Sequence, residues 1–276
     1  MSTTPTRVAL VTGGAHGQGR SHALALAAAG YDVAVLDRCE PLASVPYPMG
    51  TKDELDATVA GIEAQDRRAL GLRADVRSLP EMTAAVDRVV GELGRIDVLV
   101  ANAGINNYGS LWELTEEQWD ENLGVNLKGV WISMKTVVPH MIAQRSGRVI
   151  ATSSVFGLRG YPNIGHYSAA KHGVIGLVKT LAMEVAEYDI TVNAVCPSVV
   201  DTDMTNNEAT YDLFNGGSGG SREHMIEVVK GMHILPDRGP IPAADVSEAV
   251  VWLASEKARN TTAAAITVDG GFLNRM

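Results

Sequence analysis

A tyrosine and a lysine four residues apart, Tyr167 and Lys171, are the pair in this sequence best suited to move a proton. The segment around them is predicted to be helical, so both side chains lie on one face. An unperturbed tyrosine has a pKa of about 10, which is too high for an efficient base near neutral pH. A nearby ammonium stabilises the phenolate, so we expect Lys171 to lower the pKa of Tyr167.

A serine supplies the third group of this predicted site. Ser154 follows a predicted strand at residues 148–152. Ligands of parallel sheets gather at the carboxyl ends of the strands, where Ser154, Tyr167 and Lys171 can converge. A serine hydroxyl can hydrogen-bond a substrate oxygen and hold it in place. The three groups together suit the removal of a hydride and a proton from a secondary alcohol.

A glycine-rich turn near the N-terminus has the spacing of a phosphate-binding loop. Thr12-Gly13-Gly14-Ala15-His16-Gly17-Gln18-Gly19 lies between a predicted strand and a predicted helix. Glycines let the backbone approach a pyrophosphate, and the free N–H groups of a helix N-terminus favour an anion. We expect cofactor contacts from Gly13, His16, Gly17, Gln18 and Gly19. The alternative, a turn that binds nothing, is disfavoured because the rest of the chain agrees.

An acidic residue at the end of the second predicted strand indicates which cofactor binds. Asp37 lies twenty positions beyond Gly17. A carboxylate there can accept both hydroxyls of the adenosine ribose and would repel a 2′-phosphate, so NAD is favoured over NADP. Arg38 keeps an alternative open, since a neighbouring arginine can pair with that phosphate. That alternative is an NADP-dependent ketone reductase.

Short apolar segments alternate along the chain with longer amphipathic ones. Strands are predicted at residues 7–11, 32–36, 96–100, 148–152, 191–195 and 265–268, and helices at 20–30, 80–93, 115–122, 126–144, 167–188 and 246–253. This alternation is typical of a parallel sheet covered on both faces. We therefore predict one α/β domain over residues 1–276, a doubly wound parallel sheet (Rossmann fold). Trp112, Trp119 and Trp131 are expected to pack its helices together.

Composition argues against several classes of protein. The 276 residues carry a formal net charge of −9, so neither nucleic acid nor an anionic membrane surface is an expected partner. No apolar run is long enough to span a bilayer, and residues 1–7 lack a signal-peptide pattern, which favours a cytoplasmic location. Cys39 and Cys196 are too few for a disulfide framework or a zinc site. Asp201 and Asp203 lack a second ligand cluster, so no metal site is predicted.

Together these motifs resemble those of the short-chain dehydrogenase/reductase family. The glycine-rich turn matches its Thr-Gly-x-x-x-Gly-x-Gly motif, Asn102-Ala103-Gly104 its Asn-Ala-Gly motif, and Tyr167 and Lys171 its Tyr-x-x-x-Lys pair. Ser154, thirteen positions before the tyrosine, has the spacing of the family serine, which favours it over Ser153. The resemblance covers residues 7–272. It implies that Asn126 lies in a kinked helix and supports a water-linked proton relay.

The resemblance also implies further cofactor contacts and an assembly. The family's remaining cofactor-binding positions fall here on Asp75, Val76, Asn102, Ala103, Gly104, Tyr167, Lys171, Pro197, Val200 and Thr202. The chain departs from the family at Ser198, where glycine is usual, so the backbone path there is open. A homotetramer is implied. A non-catalytic NAD-binding regulator on the same fold is the alternative, but it would have no need of the complete set of serine, tyrosine and lysine.

An insert at about residues 38–52 distinguishes the chain within this family. It contains Val45-Pro46-Tyr47-Pro48 and lengthens the segment between Asp37 and Asp75. In this it resembles the carveol-dehydrogenase-like, mycofactocin-associated dehydrogenases of actinobacteria. The resemblance implies that the insert covers the adenosine end of NAD, which is then not exchanged. It further implies that electrons leave to mycofactocin, a peptide-derived cofactor. The alternative is a neutral surface loop.

A segment at about residues 201–242 is predicted to form a lid over the substrate. Its apolar residues are Met204, Tyr211, Leu213, Phe214, Met225, Ile226, Met232 and Ile234. Apolar, methionine-rich walls suit a hydrophobic alcohol or ketone, and the resemblance implies a terpenoid such as carveol. The alternative is that these residues pack helix against helix. An acidic substrate is a further alternative, because Arg159, Arg222 or Lys230 could supply a positive charge.

Overall fold

All named strands of the chain lie in one parallel sheet. The computed structural model describes residues 6–275, and within them the sheet has seven strands in the order β3-β2-β1-β4-β5-β6-β7. The strands are β1 (Val8–Thr12), β2 (Asp32–Asp37), β3 (Ala69–Arg73), β4 (Val98–Ala101), β5 (Gly147–Thr152), β6 (Ile190–Pro197) and β7 (Ala265–Val268). Every neighbouring pair is parallel. The predicted α/β fold, a doubly wound sheet, is confirmed.

Helices cover both faces of this sheet. They are α1 (Gly17–Ala28), α2 (Lys52–Glu63), α3 (Leu79–Leu93), α4 (Glu116–Leu123), α5 (Val130–Gln144), α6 (Gly165–Glu184), α7 (Glu208–Asn215), α8 (Arg222–Met232) and α9 (Ala243–Ala254). Successive strand residues point to opposite faces. Leu10 therefore joins the buried cluster shared with α3, α5 and α6, whereas Val11 joins the cluster shared with α1, α2 and α9.

The sheet order reverses between β1 and β4. At such a switch point the loops that leave the two strands diverge and open a crevice at the carboxyl edge of the sheet. Here the glycine-rich turn follows β1 and residues 102–109 follow β4. The crevice between them is where the predicted side chains are brought together.

Two elements between β2 and α3 were missed by the sequence analysis. Helix α2 begins with a reciprocal cap, in which the Thr51 hydroxyl accepts from the Glu54 N–H and Glu54 Oε2 accepts from the Thr51 N–H at 2.8 Å. Strand β3 (Ala-Leu-Gly-Leu-Arg) is an edge strand and is only partly buried. Alanine and glycine have low strand propensity, so β3 carries little local signal and depends on its pairing with β2.

The expectation that three tryptophans pack the helices together is wrong for the single chain. Trp112 is 85% exposed in a turn before α4, and Trp119 and Trp131 lie on exposed faces of α4 and α5. Among residues 6–275, no helix is long and apolar enough to cross a bilayer.

Candidate active site and cofactor groove

Ser154, Tyr167 and Lys171 converge at the carboxyl end of β5. Ser154 caps the short helix Val155–Gly157, where its Oγ accepts from the Phe156 N–H at 3.2 Å. Tyr167 and Lys171 lie one turn apart on α6, and both line the same cavity as Ser154. Lys171 Nζ donates to the Thr152 carbonyl oxygen at 2.8 Å. The arrangement places a hydroxyl, a phenol and an amine around one cavity.

Burial controls the ionisation of the two titratable groups in this set. It raises the pKa of Tyr167 to about 12, although hydrogen bonding from Ser154 opposes the shift. It lowers the pKa of Lys171 to about 8. The expected lowering of the Tyr167 pKa by Lys171 is not found. Because Lys171 is turned towards Thr152, its attraction for a phenolate does not outweigh the desolvation of the phenol.

Ser153 and Ser154 have different partners. Ser153 is buried, and its Oγ donates to the Lys171 carbonyl oxygen at 3.0 Å, which ties α6 to the end of β5. Ser154 Oγ instead accepts from the Phe156 N–H and lies 3.5 Å from the Pro197 carbonyl oxygen, and its side chain lines the same cavity as Tyr167. The geometry therefore gives Ser153 a structural contact and leaves Ser154 as the serine beside the phenol.

Asn126 lies in a π-helical segment, Gly124–Gly129, that interrupts the run of helix from α4 to α5. Its amide binds the loop after β4 twice: Nδ2 donates to the Ile105 carbonyl at 2.8 Å, and Oδ1 accepts from the Ile105 N–H at 3.1 Å. A Cβ placed on Gly104 would meet Asn126 Oδ1 at 2.9 Å and Lys171 Nζ at 3.5 Å. Asn126 and Lys171 thus flank the same glycine. Short π-helical segments occur frequently at functional sites.

The glycine-rich turn is packed too tightly for side chains at two positions. A Cβ on Gly19 would lie 1.8 Å from the Gly13 carbonyl oxygen, and Gly13 has a φ of 69°. The turn is fixed to the residues that follow β4, because Thr12 Oγ1 accepts hydrogen bonds from the N–H groups of Asn102 and Ala103 at 3.0 and 3.1 Å. Its backbone is therefore held against the start of α1, as binding of a pyrophosphate requires.

Polar atoms along the groove fit a dinucleotide. Gln18 Oε1 is buried without a hydrogen-bond partner. Asp37 accepts from the N–H groups of Ala15 and Cys39, both at 3.1 Å, which leaves lone pairs free for ribose hydroxyls. The described residues contain no group of three or more histidine, cysteine, aspartate or glutamate side chains placed to hold a metal.

Arg38 is engaged by the protein itself. Its Nε lies 3.2 Å from Asp75 Oδ2, and its NH1 donates to the Pro41 carbonyl at 2.7 Å. Burial opposes the ionisation of Asp75, but hydrogen bonds and charge from Arg77, with the charge of Arg38, hold its pKa below the usual value. Asp75 is therefore a carboxylate that competes for the guanidinium needed to pair with a 2′-phosphate.

The structure places every predicted cofactor and catalytic residue on one cavity. Those on its wall are Gly13, His16, Gly17, Gln18, Gly19, Asp37, Arg38, Asp75, Val76, Asn102, Ala103, Gly104, Asn126, Ser154, Tyr167, Lys171, Pro197, Val200 and Thr202. We call the part from Asp37 to Lys171 the cofactor groove. At Ser198 the backbone N–H bonds to the Val268 carbonyl at 3.2 Å, so the chain continues the β6–β7 pairing without a glycine.

The insert forms part of the wall of the cofactor groove. Leu42, Tyr47, Met49 and Gly50 line it, and Leu42 and Tyr47 are buried. The Tyr47 hydroxyl accepts from the Asn106 N–H at 2.9 Å, on the loop after β4. Of the insert, only Arg38 was predicted from the sequence to contact the cofactor, and Leu42, Tyr47, Met49 and Gly50 were not. An aromatic residue between two prolines was the available signal.

The remaining part of the same cavity has mostly apolar walls. We call it the substrate chamber, and its walls include Tyr108, Phe156, Tyr161, Ile164, Val199, Met204, Thr210, Leu213 and Phe214. Tyr108, Tyr161 and Thr210 were not predicted. The Tyr108 hydroxyl lies 2.7 Å from Thr210 Oγ1 and so joins the loop after β4 to α7.

The predicted lid residues divide between two roles. Met204, Leu213 and Phe214 line the chamber. Met225 is buried in a small cluster against which Tyr211, Phe214 and Ile226 pack, whereas Ile234 is 57% exposed. The helix-packing interpretation therefore holds for part of the segment.

The three cations considered for acidic substrates are turned to other partners. Arg222 pairs with Asp201 at 3.2 Å, and Lys230 pairs with Glu227 at 2.7 Å. The Arg159 guanidinium lies 5.2 Å from the centroid of the Phe272 ring. These contacts leave the substrate chamber without a charge from any of the three.

Known proteins resemble the chain over nearly its whole length. The sequence profile of the short chain dehydrogenase family matches residues 7–212. A (−)-trans-carveol dehydrogenase of Rhodococcus erythropolis is 44% identical, over 98% of this chain and 99% of that protein. The crystal structure of carveol dehydrogenase from Mycobacterium avium in complex with NAD has a TM-score of 0.95 at 38% identity, over 100% of both chains. A short chain dehydrogenase from Mycobacterium paratuberculosis bound to NAD has a TM-score of 0.90 at 33% identity, over 99% and 100%.

Proposed function

The chain belongs to the short chain dehydrogenase family, and from this premise we propose that it oxidises hydrophobic secondary alcohols, with terpenoid alcohols such as carveol as the leading substrates. It is an NAD-dependent oxidoreductase that acts on CH–OH groups. When bound, NAD supplies the ring that accepts the hydride. The observation that carries the proposal is the convergence of Ser154, Tyr167 and Lys171 where the cofactor groove meets the substrate chamber.

Each of these side chains has a proposed role in alcohol oxidation. Tyr167 Oη takes the proton of the substrate hydroxyl, and Ser154 Oγ hydrogen-bonds the same oxygen. Lys171 holds the ribose next to the nicotinamide and stabilises the phenolate once it forms. Asn126 keeps the loop after β4 in place beside Lys171 and supports the relay that carries the proton away.

The substrate chamber supports a hydrophobic substrate. Aromatic and aliphatic side chains, among them Phe156, Ile164 and Leu213, line the same cavity as Tyr167. A carboxylate substrate would need a placed cation, and Arg159, Arg222 and Lys230 are bound elsewhere. The likeness to two carveol dehydrogenases supports a cyclic terpenoid alcohol. Residues 201–242 act as the lid of this chamber.

NAD is held without free exchange in this proposal. Leu42, Tyr47 and Met49 extend the wall of the groove, which gives the insert a reason to be buried rather than to be a surface loop. A second redox substrate, for which mycofactocin is the candidate, would take up the two electrons that the alcohol gives to bound NAD. That acceptor would reach the nicotinamide through the substrate chamber.

The decisive experiment separates retention from catalysis. Purified protein is dialysed extensively and denatured, and the supernatant is assayed for nicotinamide cofactor by absorbance and mass. Stoichiometric NAD, with carveol oxidation that needs an artificial dye rather than added NAD, is the expected result. A protein without nucleotide that oxidises carveol with added NAD would overturn retention and leave the dehydrogenase assignment intact. If the protein oxidises carveol neither with the dye nor with added NAD, the proposal that carveol is a substrate is overturned.

A homotetramer is part of the proposal. Apolar side chains are exposed on two long helices, with Trp131 on α5 at 44% and Met183 on α6 at 73%. Helix faces of this kind are suited to burial against a second copy. Light scattering of the purified protein tests the tetramer, and a monomeric mass would overturn it.

A further inference from the structure

The insert is fastened by a chain of polar contacts that runs between α4 and the catalytic helix α6. We propose that Ser44, at the centre of this chain, is a positioning residue that keeps the insert closed and sets the rate at which NAD leaves. The inference rests on the proposed retention of NAD and identifies the contacts that would produce it. Ser44 itself does not line the groove; it acts through Leu42, Tyr47 and Met49, which do.

Ser44 has contacts on two sides. Its Oγ donates to Glu121 Oε2 at 2.6 Å, and its backbone N–H lies 3.3 Å from the same oxygen. Asn107 Nδ2 donates to Ser44 Oγ at 3.0 Å. One hydroxyl thus binds α4 and the loop after β4 at the same time.

The series of polar contacts continues from Asn107 to the catalytic helix α6. Asn107 Oδ1 accepts a hydrogen bond from Nε2 of His166, the residue before Tyr167. Burial lowers the pKa of His166 to about 4, so the ring is neutral at pH 7 and can carry its proton on Nε2. The insert is therefore connected to the start of α6 through two side chains.

Towards the expected adenine end of the groove, the series of polar contacts continues through charged side chains. The Glu121 carboxylate is only 17% exposed and lies 3.8 Å from Arg77 NH1. Arg77 in turn donates to Asp75 at 2.7 Å, and Asp75 also meets Arg38. Hydrogen bonds to a half-buried carboxylate are stronger than those between neutral groups, so the Ser44–Glu121 contact is well placed to hold the insert.

A second anchor lies three residues further along the insert. The buried Tyr47 hydroxyl accepts from the Asn106 N–H, so consecutive residues of one loop, Asn106 and Asn107, bind Tyr47 and Ser44. A nucleotide that leaves past the insert must move its wall residues and break these contacts. Ser44 is the position where one substitution removes both a donor to Glu121 and an acceptor for Asn107.

The test measures exchange rather than turnover. Wild-type protein with its bound NAD is mixed with excess isotopically labelled NAD, desalted at intervals and analysed by mass. We expect Ser44→Ala to exchange about 10- to 100-fold faster, the range for losing a hydrogen bond to a charged group. Ser44→Thr, which keeps the hydroxyl, is expected to restore slow exchange. Glu117→Ala, on the exposed face of α4, is the matched control and should match the wild type.

Equal exchange rates for Ser44→Ala and the wild type would overturn the role of Ser44 while leaving retention intact. Wild-type exchange that is complete within seconds would instead overturn retention, and the ratio of the two rates would still decide the role of Ser44. If Ser44→Ala fails to fold, Glu121→Gln replaces it. That variant keeps the acceptor oxygen but removes its charge, and a rate equal to that of the wild type would overturn the proposal.

Discussion

Lys171 Nζ lies 5.4 Å from the centroid of the Tyr167 ring and donates a hydrogen bond to the Thr152 carbonyl oxygen at 2.8 Å. The lysine is thus close enough to act on a phenolate but too far to neutralise the cost of burying it. In the protein alone Tyr167 keeps its proton well above neutral pH. Tyr167 can act as a base only when a bound group lowers its pKa. The positively charged nicotinamide ring of oxidised NAD is such a group.

Replacement of Tyr167 by phenylalanine tests its proposed role directly. Tyr167→Phe removes the proton acceptor and is expected to reduce kcat for carveol oxidation by about 10²- to 10⁴-fold. The wild-type rate should also rise with pH, because a larger fraction of phenolate forms as the pH approaches the pKa, and the residual rate of the variant should not. Tyr188→Phe, in a short helix near the surface, is the control. A Tyr167→Phe enzyme with full kcat and an unchanged pH profile would contradict the assignment.

The choice of nucleotide is predicted to depend on Asp37. Asp37→Asn removes the charge that repels a 2′-phosphate and weakens the acceptor for the ribose hydroxyls. Affinity for NAD is expected to fall about 10- to 100-fold, the range for a charged hydrogen bond, while binding of NADP improves. The measurement is titration of both nucleotides into protein stripped by partial unfolding and refolding. Asp53→Asn, on the exposed start of α2, is the control. An unchanged ratio of the two affinities would contradict the role of Asp37.

Two buried histidines predict a loss of stability in acid. Burial lowers the pKa of His22 to about 3 and that of His166 to about 4, below the ordinary histidine value of 6.5. The unfolded chain therefore binds more protons as the pH falls below 6.5, so stability is complete above that pH and decreases towards the folded pKa values. Each histidine should lower the free energy of unfolding by about 2 kcal/mol at pH 5 relative to neutral pH.

Urea unfolding at a series of pH values measures this loss. Replacing His22 by glutamine should flatten the acid limb relative to the wild type, whatever its effect at neutral pH. His224→Gln, at an exposed position, should leave the limb unchanged. An acid limb of equal slope in His22→Gln and the wild type would show that His22 is not the group that titrates.

The groove could be predicted from the sequence because its residues carry local signals. Glycine spacing before a helix and an acid at the end of the second strand, Asp37, are fixed by backbone geometry and by the parallel sheet. Tyr108 and Thr210 carry no such signal, and Tyr47 is marked only by the prolines on either side of it. They reach the site through an insert, a loop and a lid helix whose placement depends on contacts between distant segments, such as Ser44 with Glu121. The upward shift of the Tyr167 pKa could not be predicted from the sequence either, because it results from burial of the phenol in the folded protein.

The contact between Tyr108 and Thr210 predicts how the lid affects substrate binding. Thr210 Oγ1 lies within hydrogen-bond distance of the Met204 carbonyl at 3.1 Å, so the threonine can donate there and accept from the Tyr108 hydroxyl. This bond joins α7, which lies in the proposed lid, to the loop after β4. Thr210→Val keeps the shape and removes the bond, which we expect to raise KM for carveol about 2- to 10-fold with little change in kcat.

A double-mutant cycle isolates that bond from other effects of the two substitutions. Tyr108→Phe should also raise KM, and the Tyr108→Phe/Thr210→Val double variant should be no worse than Thr210→Val alone, because that substitution already breaks the contact with Tyr108 together with the bond to the Met204 carbonyl. Additive effects would mean that Tyr108 and Thr210 act on the substrate independently. A fall in kcat in place of the rise in KM would indicate instead that Tyr108 takes part in the chemistry at Tyr167, with which it shares the cavity wall.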